Sequence, residues 1–240
     1  MTGAGESAPG GGLRPIVPIV ALDLPDGADA RRLASELGAH FYKVGGELFT
    51  AAGPAVVRDL RETGADVFLD LKFHDIPTTV RGSARSAARL GARLITVHGS
   101  GGRGMLEAAV EGAGTGAQVL AVSVLTSMTA AALGEAWGRV VARVEDEVLR
   151  LADLAHAAGV HGVVCSGREA ALVRAAHGDR LAILVPGVRP AGAAPHDQAR
   201  AVTPEAVRAA GATYAVLGRA VTGAADPVAA LRSITNALTS

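Results

Sequence analysis

Residues 67–97 read VFLDLKFHDIPTTVRGSARSAARLGARLITV. An apolar run at 67–71 is followed by an Ala/Arg-rich amphipathic stretch at 79–90, and a second apolar run occupies 94–97. Short apolar runs suit buried strands and the 3.6-residue period suits a helix, so the segment reads as one β-α-β unit. The alternation continues in both directions. Strands are expected at 16–22, 41–44, 67–71, 94–97, 119–124, 162–165, 182–185 and 214–217. Helical stretches fall at 28–37, 55–63, 79–90, 140–158, 169–176, 204–210 and 227–238, the last opening with Pro227 in its first turn. Eight strands in near-strict alternation favour an α/β fold of the (β/α)8 TIM-barrel type over an open doubly wound sheet. The 240 residues suit a single barrel domain, whose usual size is about 250 residues.

Composition narrows the function classes. The 23 basic and 23 acidic side chains cancel, so no net field draws the chain to nucleic acid or an anionic membrane. No apolar run reaches the roughly 18 residues of a membrane span. Cys165 is the single cysteine, which excludes an internal disulfide framework and points to a cytoplasmic location. It lies in an apolar run and reads as inert core. Residues 1–14, MTGAGESAPGGGLR, lack the apolar block of a signal peptide and read as a flexible tail. Residues 15–240 then form the barrel.

A barrel of this kind carries its chemistry just after the strands, at the C-terminal face. The chain puts Asp23 after the first strand, Lys43 at the end of the second, and Asp70, Lys72 and Asp75 after the third. Thr126 follows the fifth, Pro186 to Arg189 the seventh, and Gly218 and Arg219 the eighth. Of the 23 basic residues 21 are arginine, and the two lysines, Lys43 and Lys72, both sit at strand ends. Lysine is a compact ammonium that can give up its proton, which a guanidinium does not. Strand alternation predicts that Asp70 and Lys72 project together. Opposite charges about 4 Å apart at an effective dielectric near 20 attract by roughly 4 kcal/mol before desolvation. That holds both partners ionised and sets a proton donor against fixed negative charge. The same residues also suit a structural ion-pair cluster at the barrel mouth. Asp23 equally suits a helix cap, and His74 and His98 suit packing or capping. At the other corner, Arg189 and Arg219 with Gln198 between them form an expected anion-binding end, beside a short AGAAP segment (191–195) suited to a lid. A solvated surface loop is the plainer alternative there.

Taken together, ALDLP (21–25), FYKVGGELF (41–49), DLKFHDIPTTV (70–80), VSVLTSM (122–128), PGVRP (186–190), DQARAVTPEAV (197–207) and VLGRAV (216–221) resemble the orotidine 5'-phosphate decarboxylase family. The resemblance runs in order from about residue 15 to the C-terminus. It implies conversion of orotidine 5'-monophosphate to UMP and CO2 in pyrimidine synthesis, with no metal and no organic cofactor. It assigns Lys72 as proton donor to C6, Asp70 beside the substrate carboxylate, and Lys43 to the same network with a ribose contact. Asp75 would reach across a homodimer interface into the partner's network. Asp23 would take ribose hydroxyls and Thr126 the pyrimidine. Gln198, Arg189 and Arg219 would hold the phosphate with help from the Gly218 amide, and Pro186, Ile76 and Thr79 complete the binding set.

One departure stands in this pattern: Gly46 occupies a place where a bulkier residue is expected. Two alternatives remain open on the sequence. A metal-dependent sugar-phosphate decarboxylase or aldolase on the same barrel would share the Asp-x-Lys-x-x-Asp core, with Glu47 as a nearby acidic group, although Lys43 opposes a cation. A catalytically silent phosphate-binding barrel would keep the arginines and have no need of two lysines. The segment 128–140 suits either an interface or a cover for the barrel.

Overall fold

The computed structural model describes residues 15–191 and 202–239. The apolar runs become eight parallel strands: β1 (Val17–Ala21), β2 (Phe41–Gly45), β3 (Asp66–Phe73), β4 (Leu94–His98), β5 (Gln118–Val122), β6 (Gly162–Val164), β7 (Ala182–Pro186) and β8 (Tyr214–Leu217). Each strand pairs with the next, and β8 pairs with β1 to close the barrel. The helices are α1 (Gly27–Leu37), α2 (Gly46–Ala52), α3 (Ala55–Glu62), α4 (Pro77–Arg89), α5 (Arg103–Ala113), α6 (Ala130–Trp137), α7 (Val144–Ala157), α8 (Gly167–His177), α9 (Pro204–Ala209), α10 (Arg219–Thr222) and α11 (Pro227–Thr239). The chain is a (β/α)8 TIM barrel.

Two apolar layers hold it together. Inside the barrel, Ile19, Ala21, Phe41, Phe68, Leu94, Leu120, Leu184, Tyr214 and Val216 pack on one another. Between sheet and helices, the outward strand residues such as Val20, Val44, Leu69, Ile95 and Ala121 meet helix residues including Leu48, Val57, Val80, Leu106 and Leu151. Strand side chains alternate between the two faces, and in a barrel one face is the interior. Two residues beyond each interior plug the chain therefore points inward again, now at the open end. Ala21 leads to Asp23, Phe41 to Lys43, Phe68 to Asp70, Leu184 to Pro186 and Val216 to Gly218, all of which line the cavity described below.

Four helices were not foreseen in the sequence, and one starts later than its period suggests. The α5 stretch RGMLEAAVEGA carries Gly104 and Gly112, and glycine lowers helix propensity by about 1 kcal/mol. Its stability comes instead from the buried Met105, Leu106 and Ala109. The helices α2 and α10 are only seven and four residues long, too short to show a period. In α6, Leu133 is buried and Trp137 packs against the core, so this part of segment 128–140 covers the barrel. Helix α7 begins at Val144 and not at 140: Val140 is 91% exposed, and Glu145, Asp146 and Glu147 form an acidic first turn, the charge that a helix N-terminus favours.

Candidate active site

The open end of the barrel encloses a cavity of about 600 Å3, within the range of small-ligand sites. Its wall is divided. Strands β1 to β3 contribute Asp23, Lys43, Asp70 and Lys72, with Glu47 from α2. Strands β5 to β8 and their loops contribute Val122, Val124, Val164, Leu184 and Val216. The β1–β3 side is charged, and opposite it the strand ends of β5 to β8 present apolar side chains.

The charged side is a chain of contacts. Lys43 Nζ donates to Asp23 Oδ1 at 2.6 Å and lies 3.8 Å from Asp70 Oδ2. Lys72 Nζ donates to the same Asp70 oxygen at 2.8 Å. The side chains of Lys43 and Asp70 are only 11% and 13% exposed, against 38% for Lys72. Two ammonium groups thus converge on one enclosed carboxylate, while Lys72 keeps the freest reach into the cavity. Gly45 makes room for this: a Cβ there would stand 2.9 Å from Lys43 Nζ and 3.0 Å from Asp23 Oδ1. Gly46, by contrast, faces open space, so its departure from the expected pattern disturbs no packing.

Asp70 and Lys72 do meet, but simple strand alternation is not the reason. The β3–β4 register shifts between Leu69 and Phe73, and Lys72 adopts a left-handed backbone with φ 50°. Such a conformation is uncommon for a residue with a side chain and tends to persist only where surroundings enforce it. Thr96 supplies part of that enforcement. Its hydroxyl accepts from the Lys72 amide at 3.0 Å and donates to Asp70 Oδ1 at 2.8 Å. Sequence reading passed over Thr96, although its signal is visible: it stands two residues beyond the interior Leu94 and is polar. Beside the bulge, the His74 and His98 rings lie 5.3 Å apart. Burial, then the neighbouring His74 and Lys72 charges, hold the His98 pKa below its ordinary 6.5 against an opposing pull from Asp70.

At the far corner, Arg189 and Arg219 both line the cavity, with Pro186, Gly187 and Gly218 between the ends of β7 and β8. Gly218 caps the short helix α10, whose first residue is Arg219. Thr126 and Leu125 line the rim after β5. Gln198 and residues 192–195 of the expected lid lie outside the described residues. Asp75, Ile76 and Thr79 do not line the cavity. They are exposed at the start of α4, where Asp75 accepts a 2.6 Å bond from the Ile76 amide. Among the described residues no group of three or more His, Cys, Asp or Glu side chains is arranged to hold a metal, and no helix is long and apolar enough to cross a membrane.

The family model for orotidine 5'-phosphate decarboxylase / HUMPS matches residues 17–234. The chain belongs to this family. Among curated orotidine 5'-phosphate decarboxylases, that of Anaeromyxobacter sp. (strain K) is 56% identical over 218 residues, covering 89% of this chain and 94% of that protein. That of Moorella thermoacetica is 48% identical over 226 residues, covering 90% and 89%. The crystal structure of orotidine 5'-phosphate decarboxylase from Lactobacillus acidophilus superposes with a TM-score of 0.83 at 36% identity, covering 95% of this chain and all of that one. The orotidine 5'-phosphate decarboxylase barrel and this chain therefore share both fold and sequence from β1 to α11.

Proposed function

We propose that this chain decarboxylates orotidine 5'-monophosphate to UMP and CO2 in pyrimidine biosynthesis, without a metal or organic cofactor. The observation that carries the reading is the junction of Lys72, Asp70 and Lys43 at one wall of the cavity, 56% identity to a curated decarboxylase adding the substrate. The C6–carboxylate bond breaks, CO2 leaves, and its electron pair stays on C6 of the ring. No adjacent π system accepts that pair, so the Lys72 ammonium provides the compensating charge, the preorganised electrostatics that dominates many enzymes. The same ammonium then gives its proton to C6, forming UMP, and regains one from water. In this reading Asp70 stands against the departing carboxylate, so negative charge opposes negative charge only until CO2 forms.

In this reading Lys43 and Asp23 engage the ribose, Thr126 the pyrimidine rim, and the apolar wall receives the face of the ring. Arg189, Arg219 and the Gly218 amide, with Pro186 shaping the corner, hold the phosphate, and Gln198 joins them from the β7–α9 connection. Grip on the phosphate is then used to hold the reacting ring in place. Asp75, Ile76 and Thr79 serve the partner's site in a homodimer.

The experiment is the ultraviolet change when purified protein meets orotidine 5'-monophosphate with EDTA present. Loss of the orotate absorbance with formation of UMP is expected. Activity that disappears with EDTA and returns with magnesium would turn the reading to metal-assisted chemistry, with Glu47 as the nearby acidic group. A folded protein that binds UMP but leaves the substrate untouched would overturn it in favour of a silent binder.

A further inference from the structure

The seam between β3 and β4 is where the barrel leaves its regular ladder. Leu69 pairs with Ile95, and the next pair is Phe73 with Val97. Three residues of β3, Asp70, Leu71 and Lys72, therefore stand opposite one residue of β4, Thr96. A bulge of this kind leaves ladder groups unpaired and re-aims the side chains it carries. The Lys72 amide is one such group, and the Thr96 hydroxyl takes the place of the missing strand carbonyl at 3.0 Å.

The direction of both bonds is fixed by chemistry. An amide only donates and an ionised carboxylate only accepts. The hydroxyl must therefore receive from Lys72 and spend its own proton on Asp70 Oδ1, 2.8 Å away. That divides the carboxylate: Oδ1 is pinned by Thr96, and Oδ2 is presented to Lys72 Nζ at 2.8 Å and Lys43 Nζ at 3.8 Å. Thr96 is wholly buried and does not line the cavity. One hydroxyl thus sets the backbone of one charged residue and the rotation of the other from behind the site.

We propose that Thr96 is the positioning residue of the charged network, holding the Lys72 bulge and the Asp70 carboxylate in register through a single hydroxyl; the kinetic part of this rests on Lys72 being the proton donor. Valine has the same shape without the hydroxyl, and serine keeps the hydroxyl without the methyl group. Thr96→Val is expected to lower kcat about 100-fold, the scale of a misplaced catalytic group, while KM stays within about threefold. Thr96→Ser is expected to retain kcat within about tenfold, the scale of losing one methyl contact.

A second readout needs no substrate. The chain has two lysines, so protein labelled with 15N-lysine gives two backbone amide signals. In Thr96→Val the Lys72 signal should move and its hydrogen exchange accelerate about tenfold, the scale of one lost hydrogen bond, with the Lys43 signal unchanged. In Thr96→Ser both should stay near the parent. A Thr96→Val protein with parental kcat and a parental Lys72 amide overturns the proposal, and so does a folded Thr96→Ser protein as impaired as Thr96→Val. Should Thr96→Val fail to fold, Thr96→Cys replaces it, because a thiol fills similar space but bonds weakly. If the parent leaves orotidine 5'-monophosphate unchanged, the proposed function falls, and the lysine amides still report whether Thr96 holds Lys72.

Discussion

In the proposed reaction Lys72 meets two demands together: a positive charge beside a departing carboxylate and a proton that can be handed over. Lys72→Ala should therefore lower turnover by at least about 10^4-fold, the upper range for a positioned acid, with UMP binding and circular dichroism retained. Lys72→Arg should not rescue it, since a guanidinium keeps its proton. Rapid-quench measurement of UMP formation distinguishes these outcomes, and parental turnover in either variant would remove Lys72 from the mechanism. Gly45 is a subtler case. Gly45→Ala places a methyl group 2.9 Å from Lys43 Nζ and 3.0 Å from Asp23 Oδ1, inside van der Waals contact. The ion pair must shift, so KM should rise about tenfold through a displaced binding group, with little change in melting temperature. The lysines were legible in the sequence because a chain rich in arginine kept two of them at strand ends. The left-handed Lys72 and its bond to Thr96 were not, because a bulge depends on how β3 registers against β4, and no period within β3 reveals it.

Between α4 and α5 the deciding contact is made by an absent side chain. A Cβ on Gly112 would stand 2.2 Å from the Arg81 carbonyl oxygen, so the two helices approach backbone to backbone at that point. Gly112→Ala would raise the intrinsic helix propensity of α5, yet it is expected to destabilise the protein by about 1–3 kcal/mol, the usual cost of overpacking. A fall in the urea midpoint at unchanged slope is the expected result, and a rise would mean the helices separate freely. The glycine that made α5 hard to read as a helix is the residue that lets it pack. The strands were far more legible, since an interior face and an outer face both demand apolar residues and leave an unbroken run. Boundaries were less so: β3 extends from Asp66 to Phe73, with Asp66 held at the barrel's closed end by Arg61 and Arg93, an ion cluster that a hydrophobic pattern does not register.

Across the whole barrel, His98, His161 and His177 are all held below the ordinary imidazole pKa of 6.5, burial being the leading cause in each. The unfolded chain then binds more protons than the folded one as pH falls below about 6.5, so folding stability should be full above that value and decline beneath it. Melting temperatures measured from pH 8 to 5.5 test this, with a smaller slope expected for His177→Gln; a flat profile would contradict it. The homodimer is a larger question. Asp75 and Ile76 sit side by side on the surface, and Ile76 is 66% exposed. An exposed isoleucine next to a carboxylate that its own cavity does not use suits a two-fold interface, where each subunit offers the same patch. If Asp75 completes the partner's site, Asp75→Asn and Lys72→Ala are each inactive alone but complementary together. Mixed subunits should regain about one quarter of parental activity, because half of randomly paired two-fold dimers are mixed and each of those holds one intact site. Sedimentation should find a dimer throughout. Recovery needs Lys72 from one subunit and Asp75 from the other in the same cavity, so a mixture that stays inactive while exchanging subunits would overturn the sharing, whereas an Asp75→Asn protein with parental turnover would place Asp75 outside the reaction.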